Sequence, residues 1–155
     1  MPPLHASDVA SFSELLLLLS LTSRQQRPNL LIACSDRALD TVVTQLHALC
    51  APPLHTCVLP GSLALPKKPC GTLLLHHVEA LTIDQQIALY DWMDRSRQIQ
   101  VVSITGAPLP SLVEHGQFLE GLLHRLNTVA LMATGSDARW ATPSVDNMQI
   151  AWWRR

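Results

Sequence analysis

Apolar runs of strand length alternate with segments of helical periodicity along most of the chain. The predicted strands cover residues 30–34, 55–59, 72–76, 99–105 and 128–132. The predicted helices cover residues 7–22, 37–49, 83–95 and 117–126, with a further helical turn at 110–113. Thr82 is the expected N-cap of the helix at 83–95. The alternation predicts an α/β three-layer sandwich, in which helices cover both faces of a mainly parallel five-stranded sheet.

The C-terminal part of the chain adds one more apolar run. Residues Met148 to Trp153 have the length of a strand and follow a polar stretch at 135–147. We expect them to form an extra edge strand, antiparallel to the fifth strand, with the polar stretch as its connection. The 155 residues are expected to form a single domain.

Composition narrows the classes of function. Hydrophobic residues make up 48% of the chain, enough for a substantial core, and the formal net charge is −1. A nearly neutral chain has no electrostatic reason to bind nucleic acid directly. The leucine run at 15–19 is too short to span a bilayer and follows Asp8 and Glu14 rather than basic residues. Neither a membrane contact nor a signal peptide is therefore expected.

The cysteines do not form a recognisable metal or redox motif. Cys34, Cys50, Cys57 and Cys70 lack the CxxC spacing that is typical of zinc and redox sites. We expect them to be reduced thiols.

The predicted third strand carries the most informative motif. Residues 71–78 read GTLLLHHV. This resembles the Walker B strand of the AAA+ ATPases that activate sigma-54 RNA polymerase, the bacterial enhancer-binding proteins, where Gly-Thr-Leu-Phe-Leu precedes Asp-Glu. In that family the Asp organises Mg²⁺ and the Glu aligns the attacking water. His76 and His77 occupy those two positions in this chain.

Further matches follow in the same order as in that family. Residues 112–127 read LVEHGQFLEGLLHRLN, similar to the family's L-x-x-x-G-x-F-R-x-D-L-Y-Y-R-L-N, and 101–106 resemble its sensor strand. The resemblance covers about residues 12–131 and leaves 132–155 as a divergent C-terminal extension. It implies an AAA+ (P-loop NTPase-like) sheet of order 5-1-4-3-2 without the helical lid domain. The connection at 60–70 is too short for the hairpin that carries the family's sigma-54-contacting loop.

The segment that aligns with the family's Walker A loop lacks its key residues. The glycine positions are Ala33, Asp36 and Ala38, and the lysine position is Leu39. A phosphate cradle needs glycines that let backbone N–H groups converge, and a lysine that reaches the terminal phosphates. We expect an ordinary strand-to-helix turn with Ser35 or Asp36 as the N-cap.

Two other positions of the family's catalytic machinery can be followed. Gly106 stands where the family has a polar sensor residue. Of the two arginines that reach a neighbouring subunit's nucleotide, the first is replaced by Leu119 and the second is kept as Arg125. Arg125 is therefore a possible trans arginine. The alternative, which we favour, is a salt bridge that fixes its helix.

The two histidines leave a metal-binding alternative open. Mg²⁺ prefers oxygen ligands, so His76 is a poor replacement for aspartate, whereas imidazole suits Zn²⁺. Adjacent strand residues point to opposite faces, so His76 and His77 share an ion only if the strand ends between them. With Cys34 they make at most a partial ligand set, and we expect structural histidines and no metal.

The resemblance implies a catalytically inactive AAA+-like domain, a pseudo-ATPase related to sigma-54-dependent transcriptional activators that binds no cofactor. Its expected location is the cytoplasm and its expected partner is a protein, such as an active AAA+ homologue or the transcription machinery. An apolar surface that includes Leu119, Leu122 and Leu123 would mark the partner face. A monomer or dimer is expected. The alternative is a nucleotide-binding transcriptional regulator with a divergent ATP site.

Overall fold

The protein was analysed as a computed structural model, which describes residues 28–68, 70–134 and 139–141. The predicted helix at 7–22 lies outside these residues. In chain order the elements are β1 (Leu30–Cys34), α1 (Asp36–Leu49), β2 (Leu54–Val58), β3 (Thr72–His76), a 3₁₀ turn (Val78–Ala80), α2 (Ile83–Arg95), β4 (Gln100–Thr105), α3 (Leu109–Glu114), α4 (Glu120–Leu126), β5 (Val129–Thr134) and β6 (Arg139–Ala141).

The strands form one sheet in the order β2-β3-β4-β1-β5-β6. The first five strands in this order pair in parallel, which confirms the predicted AAA+-like arrangement. Parallel neighbours need crossover connections, and the helices supply most of them.

An antiparallel strand lies beside β5, as predicted, but residues other than the expected ones form it. It is formed by Arg139–Ala141, within the stretch that we expected to be a polar connection. Thr134 pairs with Arg139 and Met132 with Ala141, so the two strands run antiparallel. Residues 148–153, to which we had assigned this strand, lie outside the described residues.

Each face of the sheet carries its own hydrophobic core. Helix α1 packs on one face, where Val42 and Leu46 meet Leu74 of β3. Helices α2 and α4 pack on the other face, where Leu89 and Leu122 are fully buried. Side chains alternate along the buried strands and are apolar on both faces, as the pattern of a covered parallel sheet requires.

Helix α2 begins and ends where the sequence predicts. Its N-cap Thr82 forms a capping box with Gln85, in which each side chain bonds to the other residue's backbone N–H. Helix α4, by contrast, begins at Glu120, three residues later than predicted. Residues 117–119 are held outside the helix because their backbone groups bond to Leu112 and to the side chain of Gln86.

The connection between β2 and β3 lies against the α2 face of the sheet. Two of its side chains, Leu63 and Leu65, pack on the core. The indole Nε1 of Trp92 donates a 3.1 Å hydrogen bond to the carbonyl oxygen of Pro66. This short segment covers the edge of the core at the place where the related ATPases are expected to carry their hairpin.

Candidate functional site

The strand-to-helix turn after β1 is tight. The strand continues through Cys34, Ser35 is the N-cap, and α1 begins at Asp36. The N–H of Ala38 donates to the carbonyl oxygen of Ser35 at 3.0 Å. The turn therefore has the form expected from the sequence, with Ser35 rather than Asp36 as N-cap, although its side chain makes no capping bond.

The residues that we aligned with the family's Walker A loop belong to strand or helix. Ala33 is buried in β1 and Ala38 is fully buried under α1. Leu39 is half-buried and packs against the α1-side core. Asp36 opens the first turn of the helix. Ala33, Ala38 and Leu39 are therefore packing residues. The charged side chain among the four aligned positions is the carboxylate of Asp36.

His76 ends β3, in register with Val58 of β2 and Ile104 of β4. Its Nε2 is buried and has no hydrogen-bond partner among the described residues. Burial lowers the pKa of His76, and the nearby imidazoles of His77 and His47 lower it further. The folded protein therefore favours the neutral form of this side chain.

His77 lies outside the strand, in a left-handed backbone conformation with φ of 58°. It is the N-cap of the 3₁₀ turn, and its Nδ1 lies 3.5 Å from Oε1 of Glu79. The strand thus ends between the two histidines, which was the condition for a shared metal ion. Within the described part of the chain, however, no group of three or more His, Cys, Asp or Glu side chains is arranged to hold a metal.

Glu79 is the residue of this site that sequence reasoning missed. Its Oε1 accepts a 3.3 Å hydrogen bond from the N–H of Gly106, at the expected sensor position after β4. Its Oε2 is buried without a partner among the described residues. No motif marks Glu79, because only the left-handed turn at His77 brings it back to the ends of the strands. A carboxylate three residues beyond a strand end was the only available signal.

The thiol of Cys34 reports the electrostatics of this edge of the sheet. Burial raises its pKa to about 11, and the charges of Asp36 and Glu79 raise it as well. The carboxylates of Asp36 and Glu79 therefore both act on the carboxyl end of β1.

Arg125 contacts its own chain. Its guanidinium lies 4.2 Å from the centre of the Tyr90 ring, and its Nη2 lies 3.0 Å from Oδ1 of Asp94. Hydrogen bonds to Tyr90 and Asp94 raise the pKa of Arg125. The salt bridge that we favoured is thus present and joins α4 to α2, while the trans role stays a prediction.

The expected apolar partner face on α4 is wrong. Leu122 and Leu123 of α4 are fully buried and half-buried, and Leu119, just before the helix, packs half-buried against the same core. Exposed large apolar side chains of the described residues lie instead on β2 and α2, and they are Val58, Ile83 and Ile87. Every helix that the structure describes is too short or too polar to cross a bilayer.

The sheet order and the helices on both faces define an α/β fold of the AAA+, P-loop NTPase-like class. Residues 57–135, just over half of the chain, match the family model of the sigma-54 interaction domain. The chain belongs to this family, and it is related to the domains of sigma-54-dependent activators. A search of curated proteins gave no significant match.

Solved structures share the fold. The ATP complex of NtrX from Brucella abortus superposes with a TM-score of 0.61 at 17% identity, covering 84% of this chain and 39% of NtrX. The P-loop NTPase domain of a sigma-54 activator from E. coli gives a TM-score of 0.51 at 21% identity, covering 77% of this chain and 94% of that domain. The chain thus spans about two-fifths of the length of NtrX.

Proposed function

We propose that this domain is a catalytically inactive relative of the sigma-54 activator ATPases, which acts in the cytoplasm through protein–protein contact. The observation that carries the proposal is the charge at the carboxyl ends of β1 and β3. The carboxylates of Asp36 and Glu79 both act on Cys34 there, and no lysine side chain stands at the Walker A position.

Electrostatic repulsion disfavours the binding of a triphosphate at this turn. At an effective dielectric constant of 20, a phosphate charge about 5 Å from a carboxylate is repelled by about 3 kcal/mol. Leu39 supplies no cation to offset this repulsion. The turn at Ser35 is also a single residue long, whereas a phosphate cradle needs several converging N–H groups.

Loss of the chemistry does not require loss of the fold. The two cores on either side of the sheet consist of side chains that do not depend on nucleotide. A fold and the site grafted on it are separable, so the domain can persist as a binding module. Its partners are proposed to be an active homologue or a component of the transcription machinery.

Nucleotide titration tests the proposal directly. We expect Mg²⁺-ATP and Mg²⁺-ADP to leave the melting temperature unchanged and to produce no heat in calorimetry, because a ligand of the folded state would stabilise it. A double variant, Asp36→Gly with Leu39→Lys, tests whether restored glycine and lysine are enough to recover binding. Saturable binding of ATP by the wild-type chain would refute the proposal and favour the nucleotide-binding regulator instead.

A second experiment tests the contribution of Arg125. An active ATPase of the family is mixed either with the wild-type domain or with its Arg125→Ala variant. The rate at which the ATPase releases phosphate is then compared between the two mixtures. A trans arginine predicts an effect that Arg125→Ala abolishes. Asp94→Asn is the matched control, since it breaks the same salt bridge and keeps the guanidinium. Equal rates in all mixtures would remove the trans role.

A further inference from the structure

The end of β3 holds an imidazole whose surroundings suit only its neutral form. His76 lies on the α1 face of the sheet, between Val58 and Ile104 in the flanking strands, neither of which can ionise. Its buried Nε2 meets no acceptor among the described residues. A proton added at this nitrogen would therefore have no hydrogen-bond partner unless the side chain moved.

The charged groups around His76 make this effect stronger. His77 follows it directly, and His47 approaches from the last turn of α1, so its two ionisable neighbours are both imidazoles. The two nearby carboxylates, those of Glu79 and Asp36, interact with groups other than His76. Glu79 contacts His77 and Gly106, and Asp36 acts on the thiol at the end of β1. Within the described ranges of the chain, no carboxylate is among the groups that shift the pKa of His76.

The chain directly after His76 has two features that let it rearrange. His77 occupies the left-handed region, which a non-glycine residue adopts only when its surroundings hold it there. The 3₁₀ turn Val78–Ala80 is held to the end of β4 by the bond from the N–H of Gly106 to Glu79. Movement of His76 toward solvent would act on both features at once.

We propose that the carboxyl end of β3 is a proton-sensitive switch. At neutral pH His76 is half-buried at the end of β3 with its Nε2 shielded from solvent, and Glu79 holds the turn to Gly106. On acidification His76 gains a proton, its Nε2 moves out into solvent, and this movement releases the turn. Histidine is the side chain that changes charge near physiological pH, which makes such a response accessible to the cell. The inference does not depend on the proposed loss of ATPase activity.

The direction of the pH effect follows from the linkage of proton binding and folding. The pKa of His76 in the folded chain lies below the ordinary value of 6.5, so the unfolded or opened state binds the proton more readily. The stabilising contribution is complete above pH 6.5. It is lost as the pH falls from 6.5 through the lowered pKa of the folded state.

Two measurements on the full chain test the switch. Nuclear magnetic resonance of the histidine ring protons should give His76 a titration midpoint below 6.5. Hydrogen exchange of residues 72–82, corrected for its intrinsic pH dependence, should be about threefold faster or more at pH 5.5 than at pH 7.5 if the turn opens locally. Circular dichroism at both pH values confirms that the chain remains folded.

Variants separate this site from the other histidines. His76→Gln should abolish the exchange response, whereas His115→Gln, at an exposed position after α3, should keep it. If His76→Gln fails to fold, His47→Gln serves instead, because it removes one repulsive charge and should move the His76 midpoint upward. A His76 midpoint at or above 6.5, or an exchange response that persists in His76→Gln, would overturn the proposal.

Discussion

Replacing Gln86 should be among the most damaging substitutions of a polar residue in this protein. The side chain is fully buried in α2. Its Nε2 donates to the carbonyl oxygens of Leu81 at 3.1 Å and Gln117 at 3.0 Å, and its Oε1 accepts from the N–H of Leu119 at 2.8 Å. Gln86 thus fixes residues 117–119, the segment before α4. This segment lies within the motif at 112–127 that resembles the family's sequence.

The expected loss of stability follows from these three bonds. Gln86→Leu keeps the approximate volume but leaves the N–H of Leu119 and the carbonyl groups of Leu81 and Gln117 without this partner, in buried or partly buried surroundings. Each unsatisfied buried group costs about 1–3 kcal/mol, and the leucine recovers part of this through its apolar surface. We therefore expect the free energy of unfolding to fall by about 3 kcal/mol, which is more than a hundredfold in the folding equilibrium.

Urea denaturation followed by tryptophan fluorescence measures this loss. The slope against urea should stay constant, so that the shift in midpoint reports stability alone. Gln85→Leu is the matched control, since the side chain of this neighbour makes solvent-exposed hydrogen bonds, and it should lose only about 1 kcal/mol. A Gln86→Leu midpoint equal to that of the control would show that the buried bonds are not a significant source of stability.

Two further predictions concern backbone space and thiol chemistry. Gly71→Ala drives a Cβ into the carbonyl oxygen of Pro53 at φ +86°, whereas the Cβ of Gly116→Ala meets open space at φ +70°. Thermal unfolding should therefore show a loss of about 2–4 kcal/mol for the first and about 1 kcal/mol for the second, and equal losses would contradict the steric account. Cys34, whose pKa is raised to about 11, should resist iodoacetamide at pH 8 while exposed Cys70 reacts, as mass spectrometry of the folded and urea-unfolded chain can show. Rapid labelling of folded Cys34 would refute the burial argument. Because the pKa of Cys34 is higher in the folded chain, the free energy of unfolding should also fall as the pH rises from 9 toward 11.

Local patterns explain why many of the elements could be predicted. The apolar run of β3 and the helical periodicity after Thr82 gave the bounds that the structure has. Each signal depends only on neighbours in the sequence, namely the alternation of apolar residues or a capping pair. The start of α4 was missed because it depends on Gln86, which lies 33 residues from its partner Leu119.

The chemistry of the candidate site was likewise only partly predictable from the sequence. The sequence by itself determined the α/β class and the relation to the sigma-54 activators, and it predicts that His76 and His77 stand in place of an acidic pair. Only the tertiary structure decided that Glu79 returns to the ends of the strands and that Arg125 is bound by Asp94. Composition and periodicity report on which residues are present and which faces are buried. Contacts between side chains far apart in the sequence depend instead on turn geometry and on the packing of whole elements, which no local pattern encodes.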